Sequence, residues 1–330
     1  MIRRHMIMSA AAATLALASC SGSDDPDPTP TPTPTGTVTP TPTASPTYAV
    51  FPLAAAAEFG TINAATSYTG DPATGAVVLG VASTEPMSTR VRLATSNAIT
   101  TATYVIVENT EESRFVNANV TVAPTPAVNE FVFRTTDAAT AGKFSQLEFL
   151  NNTIPSQVTS NTALQLTNLS YANWYRADST AGAKRITTSV FGYQTALTDV
   201  PTTGTQAYTS SVAGRLVSVS GATTTQWRVG GTVTASVNFS TGLVTISLTL
   251  NRTPEAGGAT VAYGTFTAQG AIPVGQNQFS GSFTAGSPLS GTIAGGFFGS
   301  QGKELGISFA AMGTSGAEDQ RLVGVIVGKK

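Results

Sequence analysis

Residues 233–250 alternate apolar and polar side chains in two runs, with Ser240, Thr241 and Gly242 between them. Val233, Ala235, Val237 and Phe239 share a face in the first run, and Val244, Ile246, Leu248 and Leu250 in the second. A period of two with a glycine at the break is the signature of a half-buried β hairpin, in which Gly242 supplies the positive φ of a short loop. After Tyr48 no stretch holds a 3.6-residue apolar period for more than about two turns, so the chain reads as all-β. The same pattern predicts strands near 205–213, 231–239, 243–250, 260–268, 276–283, 289–298, 304–311 and 320–327. Eight antiparallel strands with short connections close into a small barrel and leave no exposed edge. The opposite face of the hairpin carries Thr234, Ser236, Asn238, Thr245, Ser247 and Thr249. A barrel in lipid needs the reverse pattern, so this one is expected to be soluble, with its apolar face inward.

Residues 48–183 are also strand-rich but less regular. Segments 90–95, 101–108, 114–122 and 130–134 alternate as strands, Glu111 and Glu112 fall in a turn, and 161–169 fits strand or loop. This region reads as a smaller, flatter β domain packed beside a barrel that occupies 184–330.

The first 47 residues are of a different kind. Residues 1–20 carry Arg3 and Arg4, a short apolar run from Met6 to Ala18, and small residues before Cys20. That run is too short to span a bilayer and reads as a signal peptide. Leu17-Ala18-Ser19-Cys20 is similar to the bacterial lipobox, which implies Cys20 as the lipid attachment point and stable anchoring by several acyl chains. Ser21, where an Asp would favour inner-membrane retention, implies the outer membrane by the same resemblance. Residues 21–47 alternate Pro and Thr, which can build neither ladder nor helix and make an extended spacer.

The chain's one histidine is His5 and its one cysteine is Cys20. Beyond the signal segment there is then no imidazole or thiol for Ser-His-Asp or Cys-His catalysis, for Cys/His zinc sites or for disulfides. Without Arg3 and Arg4, 15 of the 17 basic groups face 18 acidic ones, a formal charge of −3 that offers no field for nucleic acid. Adjacent acids, Glu111/Glu112 and Glu318/Asp319, point to opposite faces of a strand and read as solvated turn charges, not a catalytic pair. Gly296 to Lys303 lacks the spacing, the hydroxyl residue and the helix of a phosphate loop. Gly295 and Gly296 read as a bend or close backbone approach, Phe297 and Phe298 as one ring in and one out, and Trp174 and Trp227 as packing residues. No catalytic residue, metal ligand or cofactor is expected, and no ligand-binding residue is singled out.

Three segments resemble the β-barrel domain of transferrin-binding protein B-like surface lipoproteins. Phe191-Gly192-Tyr193 through Val200-Pro201 and Gly204 to Tyr208 and Gly214 looks like the lead into the family's first barrel strand. Gly291 to Gly299, with Lys303-Glu304-Leu305-Gly306 after it, is similar to its Gly-rich strand and following hairpin, and Val323 to Lys329 to its closing strand. The resemblance implies a handle-like domain at 48–183 and one lobe of handle plus barrel. It also implies a non-enzymatic, outer-membrane, lipid-anchored protein at the cell surface that binds through loops of the barrel. Its implied partners are an extracellular iron-carrier protein or solute, and an outer-membrane receptor or translocation machine. A lipocalin-like carrier of a small apolar ligand in the lumen, or a passive envelope or adhesion component, are the alternatives.

Overall fold

The computed structural model describes residues 45–178 and 182–330. Cys20, the signal segment and most of the Pro/Thr spacer lie outside the described residues.

Ten strands precede the barrel. They are β1 (Ala57–Thr69), β2 (Val78–Leu79), β3 (Ser83–Thr95), β4 (Tyr104–Glu108), β5 (Glu111–Phe115), β6 (Val120–Val122), β7 (Glu130–Thr136), β8 (Phe144–Leu150), β9 (Leu169–Asp178) and β10 (Ala183–Gly192). They form one antiparallel sheet in the order β5-β4-β3-β1-β10-β9-β8-β7-β6, with β2 added on β1. This sheet is curled, where the sequence reading has it flat. The ladder between β1 and β3 slips twice, at Gly60/Thr61 and Thr61/Asn63, and such bulges sharpen twist and bend. The curl brings edge strand β5 against β7 and β8, with the Phe115 and Phe133 rings 5.7 Å apart and the Ser113 and Ser145 hydroxyls 2.7 Å apart. Segment 161–169 resolves into a loop with a 3-10 turn at Thr162–Leu164 that leads into β9 at Leu169.

The remaining strands are β11 (Thr205–Ser220), β12 (Thr223–Asn238), β13 (Leu243–Pro254), β14 (Val261–Ala271), β15 (Gln278–Phe283), β16 (Ser290–Phe298), β17 (Glu304–Ser315) and β18 (Glu318–Lys329). They close into an eight-stranded antiparallel barrel in chain order, β18 pairing back onto β11. Each of the eight barrel strands of the sequence reading is present, and Gly242 turns the β12–β13 hairpin at φ 72°; the single strand read over 114–122 is instead broken by a 3-10 turn at Asn117–Asn119 between β5 and β6. The change from sheet to barrel falls between Gly192 and Thr205 and not at 183/184, because β10 completes its ladders with β1 and β9.

The lumen is full. Val237, Ile246, Leu248, Phe266, Phe279, Phe297, Ile307 and Phe309 are buried in it, and Phe239 packs against them. At one end Tyr208 donates to the Gly302 carbonyl at 2.7 Å. At the other, Arg252 forms a two-pronged pair with Glu318 at 2.6 and 3.2 Å while stacked on Trp227 and Tyr263. A lumen packed this way has no room for an apolar guest, and the carrier alternative falls with it. Glu318 is correspondingly a paired lumen cap and not a free turn charge; its hydrogen bond from Arg252 holds its carboxyl below the usual range. Gly295 stands where a side chain and a neighbouring backbone both approach closely, the Phe279 ring and the Gly306 carbonyl, and Gly296 where a side chain does. A Cβ at Gly295 would collide with the Phe279 ring in the lumen, and one at Gly296 would press on Ile62 of β1.

The outer wall of β16, β17, β18 and β11 also carries apolar residues along its length, and the sheet covers them. Ile62, Leu169, Tyr171 and Val190 meet Ala294, Phe298, Val325 and Val327, while Ala64, Tyr68 and Ile186 meet Val217, Ala310 and Val323. Phe297 thus points into the lumen and Phe298 into this seam. Polar staples run through it: Glu304 accepts from the Thr167 and Asn168 amides at 2.7 and 2.8 Å, and Arg215 pairs with Glu148 at 2.5 Å.

Candidate binding groove at the mouth of the curled sheet

Inward-facing residues of the curled sheet change character along its strands. Toward the end where the chain enters from residue 45, the concavity is an aromatic plug of Phe51, Phe59, Tyr104, Phe131, Phe133, Phe149 and Phe191. Tyr48 marks that end, donating to Asp199 at 2.8 Å and accepting from the Ala196 amide at 2.9 Å. Moving away from it, the inward positions become Ser189, Thr187 and Arg185 on β10, Trp174 and Arg176 on β9, and Ile106 then Glu108 on β4. The period-two rule forces this: residues that fill the plug and residues that line the mouth lie on the same face of the same strands.

The mouth is a groove of about 980 Å³. Trp174, Ser113, Ser145 and Phe144 are among the residues lining it, with Arg114, Lys143, Arg176, Lys184 and Arg185 as its cations and Glu111, Glu112, Asp137 and Asp178 as its acids. Beneath it lies Glu108, its side chain fully buried, whose two oxygens each accept from a different guanidinium. Arg176 reaches one at 2.5 Å and Arg185 the other. Arg176 also holds Glu111 through Nε at 2.7 Å and lies over the Trp174 ring at 3.6 Å. Burial pulls the Arg176 guanidinium below its ordinary pKa, and Glu108 and Glu111 oppose that pull. Trp174 donates through Nε1 to the Ser145 hydroxyl at 2.7 Å, which fixes the indole under the guanidinium. At the rim, Lys143 pairs with Asp137 at 3.3 Å and Arg114 with Glu112. The Ala139 amide and Lys143 hold the Asp137 carboxyl below the usual range.

Glu111 does not sit in the turn; it opens β5 and is tied to Arg176. Trp174 packs in the sheet's concavity and Trp227 closes the barrel, so neither stands as an exposed platform. Residues 300–302 form a short 3-10 turn that offers no phosphate cradle. Among the described residues no cluster of His, Cys, Asp or Glu could hold a metal, and no helix is long and apolar enough to cross a membrane. The groove residues Glu108, Arg176 and Arg185 escaped the sequence reading. The available signal was a charge ending an otherwise apolar stripe, Tyr104-Ile106-Glu108, and an arginine two places after a tryptophan on one face. The barrel's loops at this far end are of two lengths: two residues join β11 to β12 and β17 to β18, whereas residues 255–260 join β13 to β14 and residues 284–289 join β15 to β16. Binding through barrel loops, as the sequence resemblance implies, has its surface in the two longer loops, and the sheet adds a groove lined by charged and aromatic side chains.

Comparison with known proteins bears on the barrel. Residues 200–330 match the family described as the C-lobe and N-lobe β barrels of Tf-binding protein B. A comparison with curated proteins found no match. Solved structures similar to this chain include a double mutant of transferrin-binding protein B from Haemophilus parasuis Hp5. It is 12% identical, with 84% of this chain and 76% of that one covered and a TM-score of 0.38. Another is isotype 1 transferrin-binding protein B from serogroup B Neisseria meningitidis, 16% identical, with 82% and 44% covered and a TM-score of 0.39. This chain spans under half the length of the latter. The family match and the closed strand order together make residues 200–330 a barrel of the transferrin-binding protein B type.

Proposed function

We propose that this chain is a surface lipoprotein, anchored through Cys20, whose β head binds a protein or solute partner without chemistry of its own. The carrying observation is polarity of placement. The N-terminal segment joins the head beside Tyr48 and Asp199, whereas the groove opens at Ala183–Arg185, the opposite end of β10. A ten-residue strand rises ~30 Å, so the groove lies about one strand length from the point where residue 45 enters the head. The barrel contributes rigidity: its filled lumen and covered wall hold the sheet in one posture. The groove's acids are each engaged in ion pairs or hydrogen bonds, which suits recognition better than general acid-base work. A host or environmental iron carrier, and an outer-membrane receptor or translocation machine, are partners carried over from the transferrin-binding protein B resemblance. An outer-surface location is part of the same reading.

Protease treatment of intact cells tests it. The head is expected to be digested on intact cells, and Cys20→Ala is expected to release the chain from the membrane fraction. A head that resists protease on intact cells but is cut after lysis would place the protein inside the envelope and overturn the surface reading.

A further inference from the structure

In the groove, hydrogen-bonding capacity is unevenly spent. Every carboxylate there is engaged: Glu108 by two guanidiniums, Glu111 by Arg176, Glu112 by Arg114, Asp137 by Lys143, and Asp178 likewise has an interaction partner. Donors are left over. Arg176 Nη1 is buried with no acceptor, although Nη2 and Nε are both used. Arg185, its side chain 37% exposed, spends one nitrogen on Glu108 and makes no other side-chain hydrogen bond among the described residues. Among the described residues Lys184 has only the Gly182 carbonyl, at 3.2 Å. A buried guanidinium donor without an acceptor is costly, and the unspent donors of Arg176 and Arg185 are matched by a ligand group that accepts.

We propose that this groove is a subsite for an oxyanion, the carboxylate or phosphate group of a small solute, bound by Arg176 and Arg185. Glu108 is the positioning residue. By accepting from both guanidiniums it holds two planar forks side by side at the mouth, and Trp174 fixes the plane of one of them. Both carboxylate and phosphate oxygens match the fork geometry of arginine. The volume leaves room for the rest of a solute among Phe144, Ser113 and Ala65, so the anion is one end of the ligand and not the whole of it. The proposal names a ligand class for the binding head described above and rests on that reading for its biological setting.

The chain's two tryptophans make the site addressable. Trp174 lies under Arg176, whereas Trp227 lies at the far end of the barrel lumen. Full-length chain purified in detergent at low ionic strength is titrated with citrate and, separately, with inorganic phosphate, reading tryptophan fluorescence and heat. A saturable response is expected that survives Trp227→Phe, vanishes from the fluorescence of Trp174→Phe, and weakens at least about tenfold in Arg185→Gln. Response to citrate alone identifies the carboxylate, and response to phosphate alone the phosphate. Thermal melts of each variant verify folding, and Arg185→Lys, which keeps the charge, is expected to restore part of the affinity. No saturable signal with either anion, or equal binding by wild type and a folded Arg185→Gln, would overturn the proposal. Neither result touches the cell-surface reading, which protease treatment decides.

Discussion

Two antiparallel sheets in this molecule curl around their own inward faces, and they end differently. The barrel closes strand to strand, so its interior must be filled from end to end, and aliphatic and aromatic side chains fill it. The N-terminal sheet stops short of closure, with β5 and β6 as its edges. Only half of its concavity is an apolar plug; the other half holds a buried carboxylate, two arginines and a solvent-facing groove. Closure abolishes edges and leaves a structural core, whereas incomplete closure leaves a mouth in which polar groups can be both organised and reached. In this protein the barrel interior is packed core and the open sheet holds a charged, solvent-facing groove.

The contrast can be broken by deletion. Phe309→Ala removes a fully buried ring from the lumen and should cost about 3–5 kcal/mol in chemical denaturation. A loss under about 1 kcal/mol would mean that the lumen tolerates voids and is not the packed scaffold described here.

The seam between the two modules should respond nearly as strongly. Burial alone would raise the Glu148 carboxyl, but the charges of Arg215 and Arg228 outweigh it and hold it below its ordinary value. A depressed carboxylate contributes stability that is complete above the unfolded value of ~4.3 and is lost as pH falls through the folded value. Wild type is therefore expected to weaken progressively below about pH 5, and Glu148→Gln to flatten that fall. The same substitution at pH 7 removes the Arg215–Glu148 ion pair, leaving Arg215 the Glu255 pair and the nearby Glu130 carboxyl, and should cost about 3 kcal/mol. Denaturation midpoints measured across pH for both proteins give the answer.

Overpacking gives a smaller effect of the same kind. Gly295→Ala forces the Phe279 ring to move within the lumen and is expected to cost about 1–3 kcal/mol, read as a lowered melting temperature. The smallest change belongs to the sheet's mouth. Trp174→Phe keeps an aromatic ring but loses the bond to Ser145 and leaves part of the buried indole's volume unfilled, about 1–2 kcal/mol in urea titration, and should leave the barrel's packing unaltered. A cost as large as that of Phe309→Ala would show the mouth to be core, against the distinction drawn between the two regions.

Most of the barrel was legible because its strands have one wet face. Between Val233 and Leu250 alternation assigns every residue to lumen or solvent, and the structure places them accordingly. The same rule is blind in β16–β18, where Ala294, Phe298, Val323, Val325 and Val327 are apolar on the side that alternation reserves for water. Those residues are outward-facing on the barrel yet buried, because the sheet lies over them. In the sheet, β1 and β8–β10 mix polar residues into both faces, since Asn63, Glu148 and Ser189 are buried in hydrogen-bonded networks, and their periodicity is blurred for that reason. The groove was least legible of all. Glu108, Arg176 and Arg185 lie up to 77 residues apart, and nothing local distinguishes them from surface charges.

Periodicity and turn chemistry by themselves determined an all-β chain, a closed eight-stranded barrel with its apolar face inward, and the position of its hairpins. These follow from contacts between neighbouring strands, which the chain encodes at short range. Tertiary structure alone decided that the N-terminal sheet curls, that one wall of the barrel is covered, and that two distant arginines share one buried carboxylate. Each of those depends on which faces meet after the strands have formed, and a side chain's pattern along its own strand carries no record of what arrives from across the fold.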